Sequence, residues 1–218
     1  MWDNPYIRLC HHHKDDCLEW AICEVSGDFS EISSLCNDTA LVAYSREHFS
    51  NEKRRCQWLA SRMVVRSLLG DGVSVVNDAD GKPRLVGDGR NVSISHTTGY
   101  VAVAFHTKRA LGIDIEHRSE KVLRVRNRFI SPCEEELLDH SDELTSLLLH
   151  WSAKESFYKI IGNRGGSYVA SFLVAPFVVA DSGKFSISYI EQGATQKCVT
   201  VSYIAERNYV FTLCVDEE

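Results

Sequence analysis

An α+β fold made of two similar halves is predicted by three features of the sequence. These are strand-like runs of alternating apolar residues, a long amphipathic helix in each half, and the order strand, helix, hairpin occurring on both sides of residue 106. In the first half, Leu18 to Val25 alternates as a strand should, and Glu52 to Leu69 has helical spacing that Gly70 stops. A hairpin follows, with Asn91 to Ser95 and Tyr100 to Phe105 as its arms and Thr97-Thr98-Gly99 as its turn. The second half runs the same way. A strand over 111–116 leads to helices around 120–140 and 145–161, then to the paired runs Cys198 to Tyr203 and Tyr209 to Cys214. The division expected is 1–106 and 107–218, as two α+β subdomains packed face to face.

Composition narrows the function classes. With 218 residues, 44% hydrophobic and 25% charged, the chain has enough apolar material for one large core or two small ones. A net charge of -6 argues against nucleic-acid binding, which draws its affinity from phosphate neutralisation by clustered Lys and Arg. An anionic ligand must therefore meet a local basic patch, and two are visible: Lys53, Arg54, Arg55, Arg62 and Arg66, and the run from Arg118 to Arg128. The apolar run Phe172 to Ala180 is shorter than the roughly twenty residues a membrane span needs and contains Pro176, so no membrane association is expected. The 8 cysteines include no C-x-x-C pair, and the N-terminus has neither a basic start nor an apolar signal core, so a reduced cytoplasmic setting is expected.

The chemistry concentrates in two segments. In Gly112-Ile113-Asp114-Ile115-Glu116 the two-residue period of a strand puts both acids on one face, about 6–7 Å apart. In Trp151-Ser152-Ala153-Lys154-Glu155-Ser156-Phe157-Tyr158-Lys159, helical spacing lines up Ser152, Glu155, Ser156 and Lys159 as one polar stripe. Asp114, Glu116 and Glu155 are three hard oxygen donors suited to Mg²⁺ or Mn²⁺, with Lys159 one turn beyond the third. Structural readings also fit: an edge strand guarded by charge, and an exposed i to i+4 pair between Glu155 and Lys159.

These two segments, together with Gly81-Lys82-Pro83 and Asn91-Val92-Ser93-Ile94-Ser95-His96, resemble the signature segments of the 4′-phosphopantetheinyl transferases, in the family's order and at its approximate spacing. The resemblance covers roughly residues 45–180 and is to the monomeric, surfactin-synthetase-activating type, whose two subdomains form a pseudo-dimer with the active site at their interface. It implies transfer of the 4′-phosphopantetheine arm of coenzyme A to a serine of an apo acyl or peptidyl carrier protein, leaving adenosine 3′,5′-bisphosphate. It further implies Mg²⁺ on Asp114, Glu116 and Glu155, catalytic roles for Glu155 and Lys159, and coenzyme contacts from Arg62, Lys82, Ser95, His96, Lys154 and Lys159. Lys154 falls roughly opposite the Glu155 stripe, where it either reaches a phosphate from another side or supports the fold.

Arg118 to Arg128 offers a docking surface for an acidic carrier. Two other classes compete with the transferase: a metal-dependent phosphohydrolase using the same acids, and a catalytically silent module that binds coenzyme A or carrier. Cys10-His11-His12-His13, outside every motif, is expected to be an exposed loop rather than a structural metal site.

Overall fold

The computed structural model describes residues 4–162 and 171–216. The chain divides into two compact units, Met1–Lys108 and Arg109–Glu218. Each is of mixed α and β structure.

Unit 1 contains β1 (Ile7–Lys14), β2 (Leu18–Val25), α1 (Phe29–Ser34), α2 (Thr39–His48), α3 (Glu52–Leu69), β3 (Ser74–Asn77), β4 (Pro83–Val86), β5 (Asn91–Thr97) and β6 (Tyr100–His106). Its antiparallel sheet has the order β1-β2-β6-β5, and β3 and β4 form a separate two-stranded ribbon. The Asn51 side chain accepts from Arg54 N at the start of α3, and Gly70, at φ +97°, ends it in a backbone conformation that costs other residues a steric penalty. Leu59, Met63 and Val64 of α3 share one core with Val101, Val103 and Phe105 of β6, the alternate residues of that strand. The segment Cys10 to Lys14, expected as a loop, is instead part of β1: it pairs with β2, with an irregularity between Leu9 and His11. Its neighbours in β2 supply the ladder that a sequence pattern dominated by histidines does not announce.

Unit 2 contains β7 (Leu111–His117), α4 (Lys121–Val125), α5 (Pro132–Glu135), α6 (Glu143–Ile161), β8 (Phe172–Val174), β9 (Ser182–Glu191), β10 (Ala194–Ala205) and β11 (Tyr209–Val215). The antiparallel sheet runs β7-β11-β10-β9-β8. Leu147, Leu148 and Phe157 of α6 share its core with Ile187, Val201 and Val210 of the strands. The single helix expected around 120–140 is broken into α4, a 3₁₀ turn over Arg126–Arg128, and the short α5. Pro132 forces the break, since the residue before a proline avoids the helical region; Ser131 is extended and its side chain, with that of Glu134, makes a capping box that restarts the chain as α5. Asp142 then caps α6 through Thr145 N at 3.1 Å. Among the described residues, no helix is long and apolar enough to cross a membrane.

Candidate active site on unit 2

The geometry begins with Gly112. A Cβ built at this position would run into the backbone carbonyl of Ser156, so only glycine lets α6 lie this close to β7. Gly112, Asp114 and Glu116 share one face of β7, in register with Cys214, Thr212 and Val210 of β11. Thr212 Oγ1 lies 2.9 Å from Ser152 Oγ and 2.6 Å from Ser156 Oγ, all three side chains buried. The polar stripe of α6 is therefore not a solvated face: its serines are spent on the sheet. Lys159 Nζ donates to the Ile113 carbonyl at 2.6 Å and to Asp114 Oδ1 at 3.4 Å, while Trp151 Nε1 donates to Glu116 Oε1 at 2.8 Å. β7 is an edge strand, as the charge-guard reading has it, but α6 covers its acidic face and leaves Asp114 only 6% exposed.

Electrostatics set this cluster apart. Burial raises the Glu116 pKa to about 7, with the Asp114 charge adding to the shift, Trp151 opposing it, Glu155 adding again and Lys159 opposing last. Asp114, Glu155 and the Lys159 ammonium are thus all within electrostatic reach of Glu116. Among the described residues no group of three or more His, Cys, Asp or Glu side chains has already converged into a ligand cage. Trp151 Nε1 and Lys159 Nζ each bond one of these carboxylates, Glu116 Oε1 and Asp114 Oδ1. The donor set, all oxygen and with an excess of negative charge beside a low-dielectric core, fits a hard divalent cation such as Mg²⁺ or Mn²⁺.

Residues 110–214 match the sequence model of the 4′-phosphopantetheinyl transferase superfamily. That segment, which is nearly all of unit 2, is similar to the superfamily. A Bacillus subtilis protein named 4′-phosphopantetheinyl transferase is 32% identical to it over 125 residues, 56% of this chain and 53% of the relative. The chain thus spans about half the length of the curated relative it matches. The matched superfamily segment contains β7 and α6, and with them all three carboxylates and Lys159.

Not every residue expected at a superfamily site is brought to it. Lys154 is fully buried: its Nζ lies 2.5 Å from the Phe129 carbonyl and 2.8 Å from Glu134, and burial lowers its pKa while the Glu134 charge opposes the shift. Of the two roles expected for Lys154, reaching a phosphate or supporting the fold, this geometry favours the second: it is a buried ion pair. Arg62 is 8% exposed on α3, with its guanidinium over the Trp58 ring at 4.3 Å and bonded to Ser61 Oγ at 3.0 Å. Burial lowers its pKa to about 10, and it too is a packed residue rather than a presented one.

Lys82 is exposed on the β3–β4 turn, which Asp78 holds by accepting from Lys82 N at 2.9 Å. Ser95 is buried and His96 half-buried near the end of β5. A cavity of about 540 Å³ opens beside that strand end, between β2, the first turn of α3 and the β5–β6 turn; Asn51, Lys53, Gln57, Thr98 and Gly99 line part of it.

Of the basic residues after β7, Arg118 pairs with Asp142 at 3.4 Å and Arg126 with both Glu135 and Glu143. Lys121, Arg124 and Arg128 are exposed. In β1, His12 is turned to Glu19 at 3.2 Å and His13 to Asp15 at 3.1 Å, and among the described residues no metal-ligating group forms there. Sequence reasoning missed Thr212, the glycine requirement at Gly112, the Trp151 to Glu116 bond and Glu134. Only Gly112 left a signal, as a glycine inside an otherwise strand-forming run.

Proposed function

We propose that the protein transfers the 4′-phosphopantetheine arm of coenzyme A to the hydroxyl of a serine in an apo acyl or peptidyl carrier protein. The products are the holo carrier and adenosine 3′,5′-bisphosphate. The observation that carries this reading is the half-buried Glu116, within electrostatic reach of Asp114, Glu155 and Lys159 on β7 and α6, inside the matched segment.

In this reading Asp114, Glu116 and Glu155 hold Mg²⁺ or Mn²⁺. The cation, when bound, supplies charge neutralisation at the pyrophosphate of coenzyme A. Glu155 accepts the proton of the attacking serine hydroxyl, and Lys159, anchored on the Ile113 carbonyl, keeps an ammonium one helical turn away for the departing phosphate. Trp151 fixes the rotamer of Glu116 through its 2.8 Å bond, so the carboxylate enters the reaction already oriented.

The coenzyme contacts proposed on unit 1 are Lys82, Ser95 and His96, with Lys53 at the rim of the 540 Å³ cavity as a further cation for a phosphate. The working protein is read as a monomer of the two-subdomain type, acting in the cytoplasm. Lys121, Arg124 and Arg128, exposed and outside the ion pairs that occupy Arg118 and Arg126, form the docking surface for an acidic carrier.

Intact mass spectrometry of an apo carrier protein, incubated with this protein, coenzyme A and Mg²⁺, tests the reading. A gain of one phosphopantetheine mass that EDTA abolishes is expected. No gain across fatty-acid, polyketide and nonribosomal-peptide carriers would overturn it.

A further inference from the structure

Lys154 and Glu134 form a charge pair with 0% and 2% side-chain exposure in the interior of unit 2. Such a pair is expensive to desolvate, and an apolar pair of similar volume is often as stable or more so. Its occurrence calls for a role other than stability, and its connections supply one. Lys154 directly precedes Glu155 on α6. Its ammonium is gripped by the Phe129 carbonyl and by both oxygens of Glu134. Glu134 in turn accepts from Ser131 N at 2.9 Å and Ser131 Oγ at 2.8 Å through Oε2, and from Val174 N at 2.9 Å through Oε1. One carboxylate therefore joins α6 to the capping box of α5 and to β8. On the other side of α6, Ser152 and Ser156 bond Thr212, and Gly112 admits the helix backbone against β7.

We propose that the Lys154–Glu134 pair is a positioning device for the proposed transfer site. By fixing the rotation and axial register of α6 from its buried side, it sets where Glu155 and Lys159 stand relative to Asp114 and Glu116. Lys154 is then a positioning residue that touches neither coenzyme nor cation. This inference deepens the transferase reading and rests on it for the consequence for turnover, but its structural part stands independently.

The test replaces the pair together, as Lys154→Met with Glu134→Gln. The glutamine carbonyl accepts from either Val174 N or Ser131 N, the other losing its acceptor, and no charge is left buried alone. Each single variant leaves an uncompensated polar group and is expected to lower the melting temperature, so singles serve only as controls. Three readouts are taken on the double variant: thermal unfolding, the indole N–H resonance of Trp151 assigned through Trp151→Phe, and steady-state transfer. Trp151 lies on α6 and its N–H meets Glu116 on β7, so its resonance reports the helix-to-strand register without any turnover.

The proposal expects a folded double variant with a displaced Trp151 resonance and kcat lowered roughly 10–100-fold, as an ångström-scale misplacement does, with KM for coenzyme A unchanged. A folded double variant with the wild-type Trp151 resonance and kcat overturns it. If the wild-type protein itself transfers nothing, the transferase reading has failed, and the resonance alone still decides whether the pair sets the register of α6. Should the double variant not fold, Lys154→Arg supplies the second test. Its longer cation keeps the charge but lengthens the tether; a folded Lys154→Arg with unmoved resonance and kcat also overturns the proposal.

Discussion

Glu19 in unit 1 and Glu116 in unit 2 are both acids drawn out of solvent on a β-strand, and their surroundings differ in kind. Glu19 is 4% exposed and meets three basic side chains: His12 at 3.2 Å, Lys14 at 3.3 Å and Arg90 at 3.3 Å. Glu116 meets the Trp151 indole, and the charges around it are two more acids and one lysine, so its pKa rises to about 7. A carboxylate held for structure is surrounded by the cations that make it cheap to bury. In the proposed function, Glu116 is instead one of three acids that hold a divalent cation.

The largest expected effect separates the two acids by activity. Asp114→Ala lowers kcat/KM for carrier modification by about 10²-fold or more, the several kcal/mol that a lost cation ligand represents. Glu19→Gln leaves kcat/KM within about twofold and instead costs stability, on the order of 1–3 kcal/mol, by stranding its basic partners. Equal losses of kcat/KM in the two variants would erase the distinction.

Glycines sharpen it on the scale of stability. Gly112→Ala must push β7 away from the Ser156 carbonyl and is expected to cost about 2–3 kcal/mol, with a drop in melting temperature of roughly 5–10 °C. At Gly99 of unit 1, φ is +78° and an added Cβ would meet nothing within 4 Å, so Gly99→Ala costs only about 1 kcal/mol of backbone strain. Calorimetry of both variants checks the ranking.

The smallest effect expected in water near neutral pH, and a growing one below it, belongs to His150. It is 4% exposed, its Nδ1 lies 2.8 Å from the Ser146 carbonyl, and burial lowers its pKa to about 4. The unfolded chain takes up this proton near pH 6.5 and the folded one does not until about 4. The contribution to stability is therefore fully present above pH 6.5 and is lost as pH falls towards 4, to a total on the order of 3 kcal/mol. His150→Gln should flatten that part of the stability–pH curve in chemical denaturation, and an unchanged slope would show that the imidazole does not titrate this way.

How much of this was legible in the sequence follows from the range of the forces involved. The strands expected over 18–25, 91–95, 100–105 and 111–116 and the helices α3 and α6 carry their apolar period and their caps in the local sequence, and they appear there, three of the strands running one or two residues further. The acids of β7 and α6 were legible for the same reason, since period-two and period-3.6 spacing fix which faces they share. What was not legible depends on partners distant along the chain. β1 is a strand because β2 supplies its ladder, and Lys154 is a buried ion pair because Glu134, twenty residues earlier, turns inward beneath it. Arg62 looked like one more cation in a basic helix run. Its removal from solvent follows from packing over Trp58, which charge patterning does not encode. Thr212 carries no motif at all; it matters because its register partner is Asp114.

The central claim is that unit 2 holds three carboxylates whose negative charge is completed by a divalent cation, whereas Glu19 of unit 1 has its complement built in. Isothermal titration of Mg²⁺ into the protein with saturating coenzyme A, for the wild type, Asp114→Asn, Glu155→Gln and Glu19→Gln, tests it most directly. The account predicts saturable binding to the wild type and to Glu19→Gln, weakened about tenfold or more in each of the other two. Saturable binding of equal strength in all four proteins, or none in the wild type, would contradict it.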